Sequence, residues 1–382
     1  MKGLFSSLLI VSLPVAMCSQ SMITLSVLAP LPSSINESSG LETRKVNSLW
    51  THNDSGGQPQ VYKVDTNGVL VKTITVSNAT NTDWEEVAFD SSGSFFIGDF
   101  GNNNNDRQDL KVYKIQDPDS IAGTTTTSQI IHFSYPDQYA FPPPASQQNF
   151  DCESMIAMND SLYIFSKNRT NPYNGYAKLY RLPQTAGTFI ATLVDSFYTG
   201  PGPYDDYSFT AADISSGYDT LVLISHARMW VFTNFSGTHF FQGTHQEYIF
   251  SGTFTKKEGV CFKSGTELYL SDEHTVSGSR NIYYYHFPNV INDVSSSGTT
   301  AEVKFFPNPF GDELNIDAGS VTTSKVRCVI RDANGKLIVN KEFNTSSVIT
   351  IDAKEWAAGI YTVELYDGTR SLSSSKVMRM KR

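Results

Sequence analysis

The sequence predicts an all-β protein: a β-propeller of five blades, closed by an N-terminal strand, followed by a small C-terminal β-sandwich. Three observations lead there. Aromatic residues make up 12% of the 382 positions and charged residues only 18%, a balance that suits half-buried pleated surfaces. A unit of four short strands recurs five times between about residues 22 and 297, with no helical periodicity. After a polar stretch the pattern changes to short alternating strands around Asn-Gly and Asp-Gly turns.

The chain opens Met1-Lys2-Gly3 and continues with an apolar run from Leu4 to Met17, interrupted by Pro14. One positive charge, a short apolar core and small residues after it read as a secretory signal peptide over residues 1–21. The run is too short to span a bilayer, and no later run of sufficient length follows, so no transmembrane segment is expected. Cys18 admits two readings, a degraded lipoprotein box or an ordinary residue near the cleavage point. The other three cysteines, Cys152, Cys261 and Cys328, are too few and too widely spaced for a disulfide framework or a zinc site, and are expected to be buried thiols.

Each repeat begins with a short strand bearing an acidic residue, then a turn, a strongly apolar strand, a Tyr-rich strand and a variable fourth strand. The first strands hold Glu37, Glu85, Glu153, Ala212 and Glu258 at matched positions, spaced 48, 68, 59 and 46 residues apart. That average is a little above the roughly 40–50 residues of common four-stranded blade repeats. Radial repetition hides sheet edges. The fifth copy lacks a convincing fourth strand, while Ile23 to Ala29 is a spare one at the other end of the propeller. Pairing the two closes the ring and removes two open edges at once. A sixth blade would have to be too degenerate to recognise.

A Ser/Gly-rich linker is expected at 298–302, and a separate unit from 303 to 382. This unit carries Phe306-Pro307-Asn308-Pro309-Phe310, the turn Asp332-Ala333-Asn334-Gly335-Lys336, the strand Gly359-Ile360-Tyr361-Thr362-Val363, and a basic end from Lys376 to Arg382. Taken in order, these motifs resemble the type A C-terminal sorting domain of the type IX secretion system. The resemblance implies passage across the outer membrane, an encounter with the secretion machinery in that membrane, and removal of the domain near the linker. The product would be secreted or attached to the cell surface.

In the propeller, first strands line the central channel, so Glu37, Glu85, Glu153 and Glu258 are expected to form a ring. Carboxylates facing one axis repel, and burial adds to the rise in their pKa values. A hard cation relieves this, and calcium accepts six to eight oxygens in flexible geometry. One calcium ion, with Asp213 as an additional oxygen donor, is therefore one expectation. A hydrated acidic funnel is the other.

A second set of polar residues falls at the ends of the second strands and in the loops after them: His52, Asp54, Asp99, Arg107, Lys167, Arg169, Arg228 and Asp272. Since the place recurs in every blade, these residues are expected to share one ligand-binding face. Asn-Gly-rich loops at the same place also serve hairpin geometry. The net charge of −9 argues against a nucleic-acid partner, because phosphate neutralisation needs clustered Lys and Arg. No nucleophile elbow, phosphate-cradling glycine loop or paired-His zinc motif is present.

The segments Glu37-Ser38-Ser39-Gly40-Leu41 and Leu49-Trp50-Thr51-His52-Asn53-Asp54-Ser55-Gly56 resemble the opening of secreted propellers of the SdiA-regulated or phytase-like esterase kind. A carboxylate in most blades of a five-bladed ring is also similar to apyrase-type nucleotidases. There the resemblance implies a channel calcium and hydrolysis of phosphate anhydrides, with Ala212 departing from the pattern. Two functions follow: an extracellular module binding a glycan, peptide or surface component, or a calcium-dependent hydrolase of phosphate esters or anhydrides. Binding is the preferred reading, since no general base stands out.

Overall fold

The structure is a computed structural model that describes residues 21–274, 280–287, 303–318, 325–332, 336–344, 348–367 and 370–380. Residues 1–20 of the expected signal peptide, Cys18 among them, the linker and Gly335 lie outside these residues, and Ser21, the last residue of that expected peptide, opens a strand. The chain divides into two compact units, residues 1–286 and 287–382.

Within the first unit the described strands form five antiparallel blades. From the channel outward, blade 1 is Ser38–Lys45, Ser48–Asn53, Gln60–Asp65 and Leu70–Val76. Blade 2 is Trp84–Phe89, Phe95–Asp99, Lys111–Ile115 and Gln129–Ser134. Blade 3 is Asp151–Met158, Ser161–Lys167, Tyr176–Pro183 and Thr192–Tyr198. Blade 4 is Ala211–Ile214, Thr220–Ile224, Arg228–Thr233 and Thr244–Phe250. Blade 5 is Lys257–Ser264, Glu267–Asp272 and Asn281–His286, completed by Ser26–Pro30 from the N-terminal side. Each innermost strand contacts the next in ring order, and the fifth contacts the first.

Ring closure follows the expected device but uses two strands. Ser26–Pro30 pairs antiparallel with Asn281–His286, whereas Ser21–Ile23 pairs parallel with the outer strand of blade 4. The segment read as one strand from Ile23 to Ala29 is thus split between two blades. The same reaching-back occurs elsewhere: Thr125–Thr126 lies parallel on blade 1, and Gly187–Ile190 lies parallel on blade 2. In each case a short segment ahead of a fourth strand covers the preceding blade's edge, satisfying backbone groups that would otherwise stand open.

Blades pack through apolar faces. Trp50, Val61 and Ile74 meet Trp84, Phe95 and Ile97 between blades 1 and 2. Phe96, Val112 and Ile131 meet Met155, Ile164 and Tyr180 between blades 2 and 3. Leu41, Leu49 and Val64 meet Cys261, Tyr269 and Ile282 where blade 1 meets blade 5. These alternating strand residues supply the main hydrophobic stabilisation. Hairpin turns use the residues expected of them, with Asn47 and Asn159 at positive φ between innermost and second strands. Cys152, Cys261 and Cys328 are free and buried.

The second unit has a three-stranded sheet (Lys304–Phe306, Glu313–Asp317, Ile349–Asp352) and a four-stranded one (Lys325–Asp332, Leu337–Asn344, Gly359–Asp367, Arg370–Arg379). Both contribute to one core that includes Leu314, Ile316, Cys328, Ile330, Ile351 and Val363. No described helix is long and apolar enough to cross a membrane.

Candidate functional site

Three glutamates share one local geometry. In the innermost strands the pairing slips between Trp84 and Glu86, between Cys152 and Ser154, and between Lys257 and Gly259. Glu85, Glu153 and Glu258 are therefore the extra residues of three β-bulges, a device that re-aims a side chain out of the strand's alternation. All three are buried, at 4%, 4% and 7% exposure. The recurring Glu thus occupies an equivalent place in blades 2, 3 and 5.

Blade 1 departs from the expected register. Glu37 is exposed and precedes the strand. Its backbone N–H donates to Asn53 Oδ1, just as that of Asp83 donates to Asp99 Oδ1, so Glu37 matches Asp83 and not Glu85. The bulge of blade 1 instead contains Gly40, at φ +65°. A Cβ there would lie 2.7 Å from Val87 N and 2.9 Å from Glu86 Oε1, so a glutamate cannot be housed at this point.

Asp213 belongs to a different layer. Its carboxylate accepts N–H bonds from Ile214 and, at 2.6 Å, from Phe262 of blade 5. Glu42 accepts N–H bonds from Thr43 and from Phe89 of blade 2. Glu86 accepts them from Val87 and, across the channel at 2.8 Å, from Ala212 of blade 4. Each carboxylate ties two blades together through backbone amides. Burial comes first in raising all three, and Asp213 is pushed up to about 7. Sequence reasoning missed Glu42 and Glu86. The Glu85-Glu86 doublet was the available signal, since neighbouring strand residues serve different surroundings.

Two of the bulged glutamates, Glu85 and Glu153, gather with three aspartates at the other layer. Asp54, Asp83 and Glu85 present carboxylate oxygens within 4.8 Å of one another, and so do Glu85, Asp151 and Glu153. These two groups differ in how their charge is met. Asp151 accepts Arg169 Nε at 2.6 Å and Asn102 N–H at 2.6 Å, while Glu153 pairs with Lys167 and Arg169. Burial alone would lower the Lys167 ammonium, but Glu153 and Glu258 hold it well above its usual range. Glu258 Oε1 is 2.8 Å from His226 Nε2, and burial drops that imidazole to about 3, so it is neutral.

Asp54, Asp83 and Glu85 have no ion pair among the described residues, and Asp54 Oδ1 is sealed from solvent without a hydrogen-bond partner. Burial first, then the neighbouring carboxylates, raises Asp54 to about 8, Asp83 to about 6 and Glu85 well above the carboxylate range. Gly101 leaves room for two of them: a Cβ would lie 2.2 Å from Glu85 Oε1 and 2.5 Å from Asp83 Oδ2. Asp83 could have been found from its match to Glu37 one blade earlier.

Of the residues expected on a shared ligand face, Asp54, Lys167 and Arg169 converge on this cluster. The others are occupied by neighbours in their own or the adjacent blade. His52 is fully buried edge-on to Trp84, its Nδ1 2.9 Å from Asn53 O, and burial lowers it to about 4. Asp99 receives Arg107 at 2.9 Å and the Asp83 N–H, and Arg107 also donates to Gly101 O. Arg228 pairs with Glu247 and lies 4.1 Å from the Tyr207 ring centroid. Asp272 accepts Asn281 N–H and Tyr283 Oη, both at 2.5 Å. Strand-end polarity here mostly satisfies turns and strand ends, which a sequence cannot distinguish from a ligand face.

In the second unit, Asn308 Oδ1 accepts the Met378 N–H at 2.9 Å, tying the Pro307-Asn308-Pro309 box to the last strand. Tyr361 is buried, donates to Ala357 O and packs 4.9 Å from Trp356, with Gly359 at the start of its strand. Lys336 N–H is held by Asp332 Oδ1.

Residues 304–379 match the family described as the secretion system C-terminal sorting domain. The chain thus ends in a type IX sorting domain, and its destination is the cell exterior or surface. A search of curated proteins gives no match. Among solved structures, the chain is similar to an extracellular domain assigned to a one-component system of B. thetaiotaomicron, at 10% identity and TM-score 0.29 over 91% of this chain. It spans only 44% of that structure's length. A Lactobacillus plantarum protein gives 13% identity and TM-score 0.34, covering 82% of this chain and 88% of its own. The PQQ domain of pyranose dehydrogenase from Coprinopsis cinerea gives 10% and 0.37, covering 71% and 99%.

Proposed function

We propose that the propeller is an extracellular ligand-binding module organised by one hard divalent cation, calcium by chemical class, held between blades 1 and 2 by Asp54, Asp83 and Glu85. The observation that carries this reading is Glu85. It is 4% exposed, belongs to both three-carboxylate groups and has no ion pair among the described residues. Of the glutamates expected to form a metal ring, Glu153 and Glu258 have basic or imidazole partners, and Glu37 stands outside. Three carboxylates leave several of calcium's six to eight positions for water or ligand oxygens.

Residues 1–21 are taken as the leader and 298–302 as the linker at which the propeller is parted from its sorting domain. A phosphate hydrolase is the weaker reading. It needs a base beside the metal, and His226 is held neutral against Glu258 with its Nδ1 sealed from solvent.

The test is the melting temperature of the full chain in EDTA and in calcium. Calcium is expected to stabilise the wild type, and Glu85→Gln is expected to remove that response while leaving the EDTA-treated protein folded. An unchanged melting temperature in calcium defeats the metal.

A further inference from the structure

We infer that the ligand of this mouth is a neutral, hydroxyl-rich molecule, a glycan end, that completes the cation's coordination and stacks on Phe254. This rests on the cation reading above. The charge inventory decides the class. Asp54, Asp83 and Glu85 together more than neutralise one divalent ion. Lys167 and Arg169 are consumed by Glu153 and Asp151, and Glu258 adds a further acid.

Among the described residues the other cations near these acids are held by carboxylates of their own, Arg107 by Asp99 and Asp109 and Lys256 by Glu273, so a phosphate or carboxylate would meet like charge in a partly buried space. Hydroxyl groups suit it on both counts. Their oxygens are hard, neutral ligands for calcium, and their hydrogens donate to carboxylate oxygens that lack donors.

An apolar platform stands beside Glu258, whose charge acts on Asp54. Phe254 is 51% exposed and lies 5.8 Å from the His226 ring, edge to face, and His226 in turn bonds Glu258. Its position in the loop ahead of the innermost strand of blade 5 places it at the carboxylate end of that strand. Half-exposed aromatic rings of this kind offer a flat apolar face next to polar groups, as a sugar ring's C–H face requires. On the neighbouring side Tyr204 packs over the Arg169 guanidinium, 5.0 Å from its ring centroid, and holds that cation in its pairs with Asp151 and Glu153.

The experiment uses the full chain with neutral gluco-, manno- and galacto-oligosaccharides, their uronate counterparts and inorganic phosphate, by titration calorimetry with and without calcium. Neutral oligosaccharides are expected to bind only with calcium. Phe254→Ala should weaken that binding at least about tenfold, leaving the calcium-induced rise in melting temperature intact. If calcium stabilises the protein but no neutral oligosaccharide binds, or only uronate or phosphate does, the inference is overturned and the cation stands. If calcium has no effect, both fall.

Discussion

Glu86 of blade 2 accepts the backbone N–H of Ala212 of blade 4 at 2.8 Å, spanning the channel instead of following the ring. The contact uses only the backbone of Ala212, at the place where blades 2, 3 and 5 carry Glu85, Glu153 and Glu258. Ala212 is 2% exposed and offers its amide to an acid arriving from across the axis. The missing side chain of Gly40 leaves space for the same carboxylate.

Replacing Glu86 by Ala leaves the Ala212 and Val87 amides without acceptors, and a buried unsatisfied group costs about 1–3 kcal/mol. Chemical denaturation of Glu86→Ala should show a loss on the order of 3 kcal/mol, with Glu86→Gln losing clearly less. An Ala variant as stable as wild type would remove the strut from the account.

Stability should fall as pH rises through neutrality. Burial raises Asp213 to about 7 against the opposing pull of the Phe262 and Ile214 amides. Burial, with the Asp213 charge, raises Glu42 well above its ordinary value against the Phe89 and Thr43 amides and Arg44, with Glu86 and the Cys261 thiol as further neighbours. A carboxyl whose folded pKa is raised binds its proton more tightly when folded. Its contribution is complete below the unfolded pKa and is lost as pH climbs through the folded one. Melting temperatures in EDTA from about pH 6.5, where the buried His52 and His226 no longer contribute an opposing rise, to about 8.5 should therefore decline, and Asp213→Asn should flatten the slope. A rise with pH would reverse the assignment.

Gly101→Ala tests the cradle without touching a charged group. The added Cβ intrudes on Glu85 and Asp83, so at least one carboxylate must move. The expected result is a calcium response weakened by roughly tenfold or more, since that corresponds to only about 1.4 kcal/mol of coordination energy. Retained calcium affinity would place the ion elsewhere.

In the sorting domain, Arg379 is 4% exposed and donates to Gly311 O, Lys354 O and Trp356 O, with Asp312 at 3.4 Å. It pins the last strand to the segment after the Pro-Asn-Pro box. Arg379→Ala should destabilise this unit by about 2–4 kcal/mol, leave the calcium response of the propeller unchanged, and lower the amount exported. Arg379→Lys should rescue little, because an ammonium lacks the planar fork that meets several carbonyls. Full export with Ala would show that the pin is dispensable.

Much of the architecture was legible because it rests on local patterns. Alternation of apolar and polar residues gave the strands, Asn and Gly gave the turns, and the spare N-terminal strand gave closure. The tail was legible from its ordered motifs. The acidic repeat was legible in kind, and in blades 2, 3 and 5 in place, because Glu85, Glu153 and Glu258 sit in like bulges. Glu37 misled because a bulge shifts register without leaving a mark in the sequence.

By itself, then, the sequence determined an exported five-bladed ring with an acidic interior, since periodicity and composition are properties of the chain alone. Only the tertiary structure decided which acids are paired. Glu153 finds Lys167 within its own blade, Glu258 finds His226 from the neighbouring one, and Glu42, Glu86 and Asp213 are spent on backbone amides. Among the described residues of this cluster, the trio Asp54, Asp83 and Glu85 has no ion pair. The reason is physical: whether a buried charge is compensated depends on distances between residues brought together by ring closure, and these have no signature along the chain.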